Sequence, residues 1–191
     1  MYAIVKDGSI TATGNIKQLF PNTSFAGGVA NADFKTAEGV MDIVQGERKD
    51  QKYYFVTQGN VELVDGVPTQ QYTNTAKRLV DEDAKDEDGN QIYVQVYDED
   101  TKKMVDSSEK LVNQGLKTVM TAQVKNIANK LLASTDWMVI RKYERDVAIP
   151  SATATYRAAV ITECARLETA ITNAANVDAL ATVMAGQNWP N

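Results

Sequence analysis

The spacing of apolar residues changes near residue 107, and that change governs what this chain can fold into. Beyond it, Val112, Leu116, Met120 (beside Val119), Val124, Ile127 and Leu131 recur at steps of three and four. That spacing describes a helix with one apolar stripe. Ser107 or Ser108 is placed to cap this helix, which should run to about residue 133. Gly115 within it costs about 1 kcal/mol relative to alanine, or lets a neighbour approach closely. Ser134 or Thr135 can cap a shorter second helix ending near Asp146, with Asp136 in its dipole-favoured first turn. Pro150 suits the first position of a third helix, striped by Tyr156, Val160, Cys164, Leu167 and Ile171 and reaching about residue 174. Asn176 caps a last helix over 177–184, which Gly186 stops. A one-sided helix must bury its stripe. The C-terminal half is therefore predicted to be an α-helical hairpin packed on itself, on the rest of the chain, or on a second copy in a homo-oligomer.

Upstream the period is two. Residues 2–5 and 10–13 flank Asp7-Gly8, and residues 61–64 and 67–72 flank Asp65-Gly66. Asp-Gly between β-rich runs is a tight-hairpin signal. Pro68 should confine its strand to a sheet edge or shorten it. Further short strands are predicted over 40–44 and 53–57, and Asn15 caps a brief helix over 16–20 that Pro21 ends. A strongly acidic run over 81–88 leads to the alternating segment 92–97, with Met104-Val105 as a short return strand. The expected architecture is α+β. A small antiparallel β-rich domain spans 1–80, an acidic connector with a β-hairpin spans 81–106, and a helical domain spans 107–191.

Charge and composition exclude several functions. The chain has 191 residues, 43% of them hydrophobic, and a formal net charge of −5. Binding to nucleic acid needs a basic footprint, and the lysines and arginines here are scattered. No apolar run approaches the ~20 residues needed to cross a bilayer. The N-terminus turns polar too early for a signal peptide, so a cytoplasmic protein is expected. Cys164 is the one cysteine and lies on a predicted apolar stripe, where it reads as a small core residue. There is no histidine, which removes the usual base for a serine or cysteine nucleophile and the usual zinc ligand set. Asp86, Asp88 and Gly89 resemble part of a calcium loop, but Ala84 and Gln95 stand at its first and last ligand positions. No catalytic residue, metal or cofactor is assigned. A carboxylate-based polysaccharide hydrolase and a calcium-stabilised binding module remain as rival classes.

The aromatic residues gather in two places, with Phe20 and Phe25 near the N-terminus and Trp137, Tyr143 and Tyr156 around the helix junction. Arg141 and Arg157 lie among the second group. They either pack a core or, together, form a partner-binding surface, since aromatics and arginine dominate interface energetics. Local ion pairs of Arg141 or Arg145 with Asp136, Glu144 or Asp146 are the alternative role for the arginines.

The segment Leu131-Leu132-Ala133-Ser134-Thr135-Asp136-Trp137, continuing through Arg141, Glu144 and Pro150 to Tyr156-Arg157, resembles the C-terminal region of tail-fibre assembly proteins of tailed bacteriophages. Tyr2-Ala3-Ile4-Val5, Gly8 and Leu19-Phe20-Pro21-Asn22-Thr23-Ser24-Phe25 are similar to the openings of small tail-associated phage proteins. The resemblance implies assembly rather than catalysis. A chaperone-like protein would cover an apolar end of a tail fibre in the host cytoplasm, or stay as a permanent component of the virion tail or baseplate.

Overall fold

A computed structural model describes residues 1–190. The chain is α+β, with small antiparallel sheets first and helices in the C-terminal half. It divides into two compact units, Met1–Ala76 and the residues from Lys77 onward.

The first unit opens with the hairpin of β1 (Tyr2–Lys6) and β2 (Ser9–Gly14). Asp7 and Gly8 both have positive φ, 49° and 70°, as a tight two-residue turn requires. Strand β3 (Val40–Asp42) pairs antiparallel with the other edge of β1. Between β2 and β3 lie two short α-helices and a 3-10 turn (Ala26–Gly28). In α1 (Ile16–Leu19), Asn15 and Gln18 exchange side-chain and backbone bonds in a capping box. In α2 (Ala32–Glu38), Asn31 accepts from the Phe34 amide and Gly39 closes the helix at φ 67°. Ile16, Ala30 and Val40 form the buried centre here, ringed by Tyr2, Ile4, Phe20, Phe25 and Phe34.

The second sheet of this unit is a long ribbon. Strand β5 (Tyr54–Val64) runs unbroken where two short strands are expected, and pairs antiparallel with β6 (Val67–Ala76). Its register shifts between Gln58 and Val61. The buried Gln70 fills that irregularity, donating to the Gly59 carbonyl at 2.6 Å and accepting from Gln58 at 2.8 Å. Pro68 does not sit in an edge strand. β6 is central, because β4 (Val44–Gln45) pairs with it in parallel on its far side. The proline is tolerated because that pairing begins only at Thr69.

In the second unit, β7 (Glu82–Asp83) pairs antiparallel with β10 (Val112–Asn113), and β8 (Tyr93–Asp98) pairs with β9 (Lys103–Lys110). The expected helix start at Ser107 or Ser108 is therefore wrong. Both serines lie in β9, where cross-strand pairs such as Val96 with Val105 and Tyr97 with Met104 hold the backbone extended. The helix α3 (Leu116–Ala133) begins after Gly115, which occupies the cap position rather than the interior. Its first amides are claimed by the preceding chain, Leu116 by the Arg78 carbonyl at 2.9 Å and Lys117 by the Leu79 carbonyl at 3.0 Å.

Next come α4 (Asp136–Arg145), α5 (Ser151–Asn173) and α6 (Val177–Ala185). Lys117 near the start of α3 donates to the Thr172 carbonyl near the end of α5. Arg157 near the start of α5 reaches Leu132 near the end of α3. The two long helices are therefore antiparallel. Leu116, Met120, Val124 and Ala128 on α3 face the core, with Val160, Leu167 and Ile171 on α5 and Val177, Leu180 and Met184 on α6.

The buried stripe of α5 includes Glu163, whereas Cys164 is only half-buried. Glu163 is held by Arg166 Nε and Nη2, each at 2.7 Å, and by the Asn188 amide at 2.7 Å. Arg166 also donates to the Gly186 carbonyl, so the pair clips the C-terminal segment to α5. These bonds, led by Arg166, hold the Glu163 carboxyl below its ordinary value of 4.5 despite burial. A carboxyl with a lowered folded pKa stabilises fully above the unfolded value and loses that contribution as the pH falls through the folded one. Glu163→Gln is expected to cost about 1–3 kcal/mol at neutral pH. Urea titrations from pH 7 to 3 should show a shallower acid-side loss of stability in this variant than in the wild type.

Candidate interaction surface at the helix junction

The turn between α3 and α4 is built around one carbonyl. Leu132 accepts from the Thr135 amide and the Thr135 hydroxyl, each at 2.9 Å, and from Arg157 at 3.1 Å. The same Arg157 nitrogen, Nη1, lies 2.6 Å from the Thr135 hydroxyl and 2.9 Å from Asp136 Oδ1. Its side chain is largely shielded. Thr-Asp and Tyr-Arg, far apart in sequence, therefore meet as one bracket that fixes where α4 leaves α3. The ion pair expected of Arg141 or Arg145 with Asp136 is made by Arg157 instead.

Arg157→Ala is expected to lower stability by about 2 kcal/mol, because it removes a charged partner from partly buried oxygens. Arg157→Lys should recover part of this, since all three oxygens lie about one nitrogen and an ammonium carries three donors, on a shorter stem. Thermal unfolding of both variants checks the expectation.

Held out by that bracket, α4 buries none of its side chains. Tyr143 is 94% exposed, Ile140 56% and Trp137 51%, and Val139 is also exposed. The Arg141 guanidinium lies 4.7 Å above the Trp137 ring, an attractive stacking arrangement. Its Nε is buried and without a hydrogen-bond partner among the described residues. Lys142 pairs with Asp146 at 2.5 Å, and Asp146 ends the helix at φ 54°.

The aromatic residues singled out in the sequence thus separate. Phe20 and Phe25 each pack edge-on against Phe34, with ring centroids 5.0 Å apart, inside the first unit's core. Tyr156 is half-buried and Arg157 turns inward. Trp137, Arg141 and Tyr143 are left together on α4.

A second apolar surface was not singled out. The β8–β9 ribbon exposes Val96, Tyr97 and Met104, and Leu111 and Val112 beyond it are also exposed. A two-stranded ribbon has no core of its own. At its base, Asp86 accepts from the Asn90 and Asp88 amides and from the Asn90 side chain, and its carboxyl is lowered chiefly by the Asn90 amide. The residues compared with a calcium loop thus shape an ordinary turn. No group of three or more potential ligands is placed to hold a metal among the described residues.

Between α3 and α5 runs an open groove of about 330 Å³, lined by Ala128, Leu132, Ile161, Cys164 and Ala165. Cys164 donates to Glu168 at 3.3 Å, and Lys125 pairs with the same carboxylate at 3.2 Å. Burial first, then the Glu168 carboxylate, pushes the thiol above its ordinary range. A thiol so held is the opposite of an activated nucleophile. No family model, curated protein or solved structure matches the chain.

Proposed function

We propose that this is a bacteriophage tail protein that assists the assembly or attachment of tail fibres through protein–protein contacts, without catalysis. The observation that carries the reading is a helix pinned in place by Arg157 and Asp136 yet presenting Trp137, Ile140 and Tyr143 to solvent. Large aromatic and aliphatic side chains held outward on a fixed element are interface material. Thr135, Asp136 and Arg157, which fix that helix, and Trp137, which it presents, are among the residues that carry the resemblance to tail-fibre assembly proteins. The acidic β8–β9 ribbon, with Tyr97 and Met104 exposed, offers a second surface for a fibre or baseplate protein. No helix among the described residues is long and apolar enough to cross a membrane.

Co-expression with a tail-fibre protein from the same genome tests the reading. The expected result is a larger soluble, correctly assembled fraction of fibre. A fibre yield unchanged by co-expression overturns it. Quantifying the protein in purified virions separates transient from permanent roles, because stoichiometric copies would make it a structural part of the tail. Turnover of a host glycan by the isolated protein, lost on changing a carboxylate pair, would replace the reading with the hydrolase.

A further inference from the structure

We propose that α4 is a self-association helix, pairing antiparallel with α4 of a second copy about a two-fold axis at Ile140. The exposed side chains are arranged for it. Trp137 and Tyr143 stand three residues before and three after Ile140, so on a helix they flank it by equal angles on either side. A two-fold through Ile140 sets that residue against its own image. It also brings Trp137 level with the second copy's Tyr143, at both ends of the contact. A surface patch that complements itself in this way is what an isologous dimer requires.

Area and charge agree with this occupant. Trp137, Val139, Ile140 and Tyr143, at their observed exposures, offer on the order of 500 Å² on each copy. Two copies therefore bury at most about 1,000 Å², the lower edge of a specific interface. That size fits a weak, reversible dimer. Arg141, Lys142 and Arg145 are offset by Asp136 and Glu144 on the same helix, so two copies meet without a strong field of one sign, and antiparallel packing sets opposite helix-dipole ends side by side. The β8–β9 ribbon, the other exposed apolar surface, is less suited to pairing with itself. Residues 93–110 hold five acidic and three basic residues, and that net charge opposes two copies there more than the single net positive charge of α4 does. The dimer covers the same α4 face that carries the fibre-assembly reading, so a second copy and a bound fibre exclude each other there.

Sedimentation equilibrium of the isolated protein across a hundredfold concentration range tests the pairing. A concentration-dependent monomer–dimer equilibrium is expected. Ile140→Glu, which opposes two carboxylates on the axis, should weaken it by about tenfold or more. Tyr143→Glu should act in the same direction, and at a position this exposed it cannot disturb the fold. Circular dichroism should find both variants as helical as the wild type. In a Cys164→Ala background, Ile140→Cys should form an intermolecular disulfide on mild oxidation, faster than a control Thr162→Cys on the exposed side of α5. A protein monomeric throughout the range overturns the proposal. So does a dimer indifferent to both glutamates, or a residue-140 cysteine that reacts no faster than the control or links only to co-expressed fibre.

Discussion

Gly115→Ala is expected to be the most damaging single-methyl change in the second unit. The glycine has φ −84° and ψ 169°, a conformation open to any residue, so backbone strain plays no part. The cost is collision. A Cβ there would lie 2.3 Å from the Val80 carbonyl carbon, 2.5 Å from its oxygen and 2.7 Å from its Cα. All three are backbone atoms, which cannot rotate aside. They can move only by dragging residues 78–81 off the start of α3. That movement breaks the Leu116 and Lys117 bonds to Arg78 and Leu79, and the 2.7 Å bond from the Gly115 amide to Asp81. A loss of about 3 kcal/mol or more follows, or a drop of order 10–20 °C in melting temperature. The control is Gly66→Ala, where φ is +79° and nothing lies within 4 Å. It should cost only the ~1 kcal/mol of an unfavourable turn conformation. Differential scanning calorimetry of the two variants compares collision directly with strain.

Leu167→Ala should rank beside it. Leu167 is fully buried on α5, one turn from the equally buried Ile171 and two turns from Val160. Truncation removes apolar contact and leaves a cavity between helices that are locked at both ends, by Lys117 on the Thr172 carbonyl and by Arg157 on the α3–α4 turn. Helices so tied close over a void poorly. The expected loss is about 3–5 kcal/mol. In urea this should appear as a lower midpoint with an unchanged slope, since the surface exposed on unfolding is the same.

The elements that sequence reading located well are those fixed by local chemistry. Asp7-Gly8 and Asp65-Gly66 adopt the positive-φ turns their composition demands. Asn176 caps α6 by accepting from the Ala179 amide, and α4 and α5 begin and end within a residue or two of expectation. The misreadings arise where a distant partner decides. Ser107 and Ser108 look like helix caps, but they fall at a register shift in β9 whose flanking residues Asp106 and Lys110 pair with β8, and a strand forms. Ala32–Glu38 has one large apolar residue, Phe34, and so no readable stripe. Only Asn31 and Gly39 at its ends announce a helix. Glu163 falls on the buried stripe because Arg166 and the Asn188 amide neutralise and solvate it there. A pattern of apolar residues alone rotates the stripe toward Cys164. At the candidate surface, the cluster of Trp137, Arg141 and Tyr143 was legible, but the Arg157 bracket that aims it was not, since its partners lie more than twenty residues away.

The strand pair β7–β10 has a consequence for how the chain tolerates change. The Ala84 amide donates to the Leu111 carbonyl, the Leu111 amide to Ile92, and the Ile92 amide to Ala84. These bonds tie the two stems of the ribbon together just beneath it. To the helices, everything from 93 to 110 is a single excursion with its ends stapled shut, and it can lengthen, shorten or be exchanged without retuning the bundle. Residues 78–83 have no such latitude, being the collar in which α3 is seated. A helical fragment cut at residue 107 would shed that collar, whereas one starting at Lys77 keeps it.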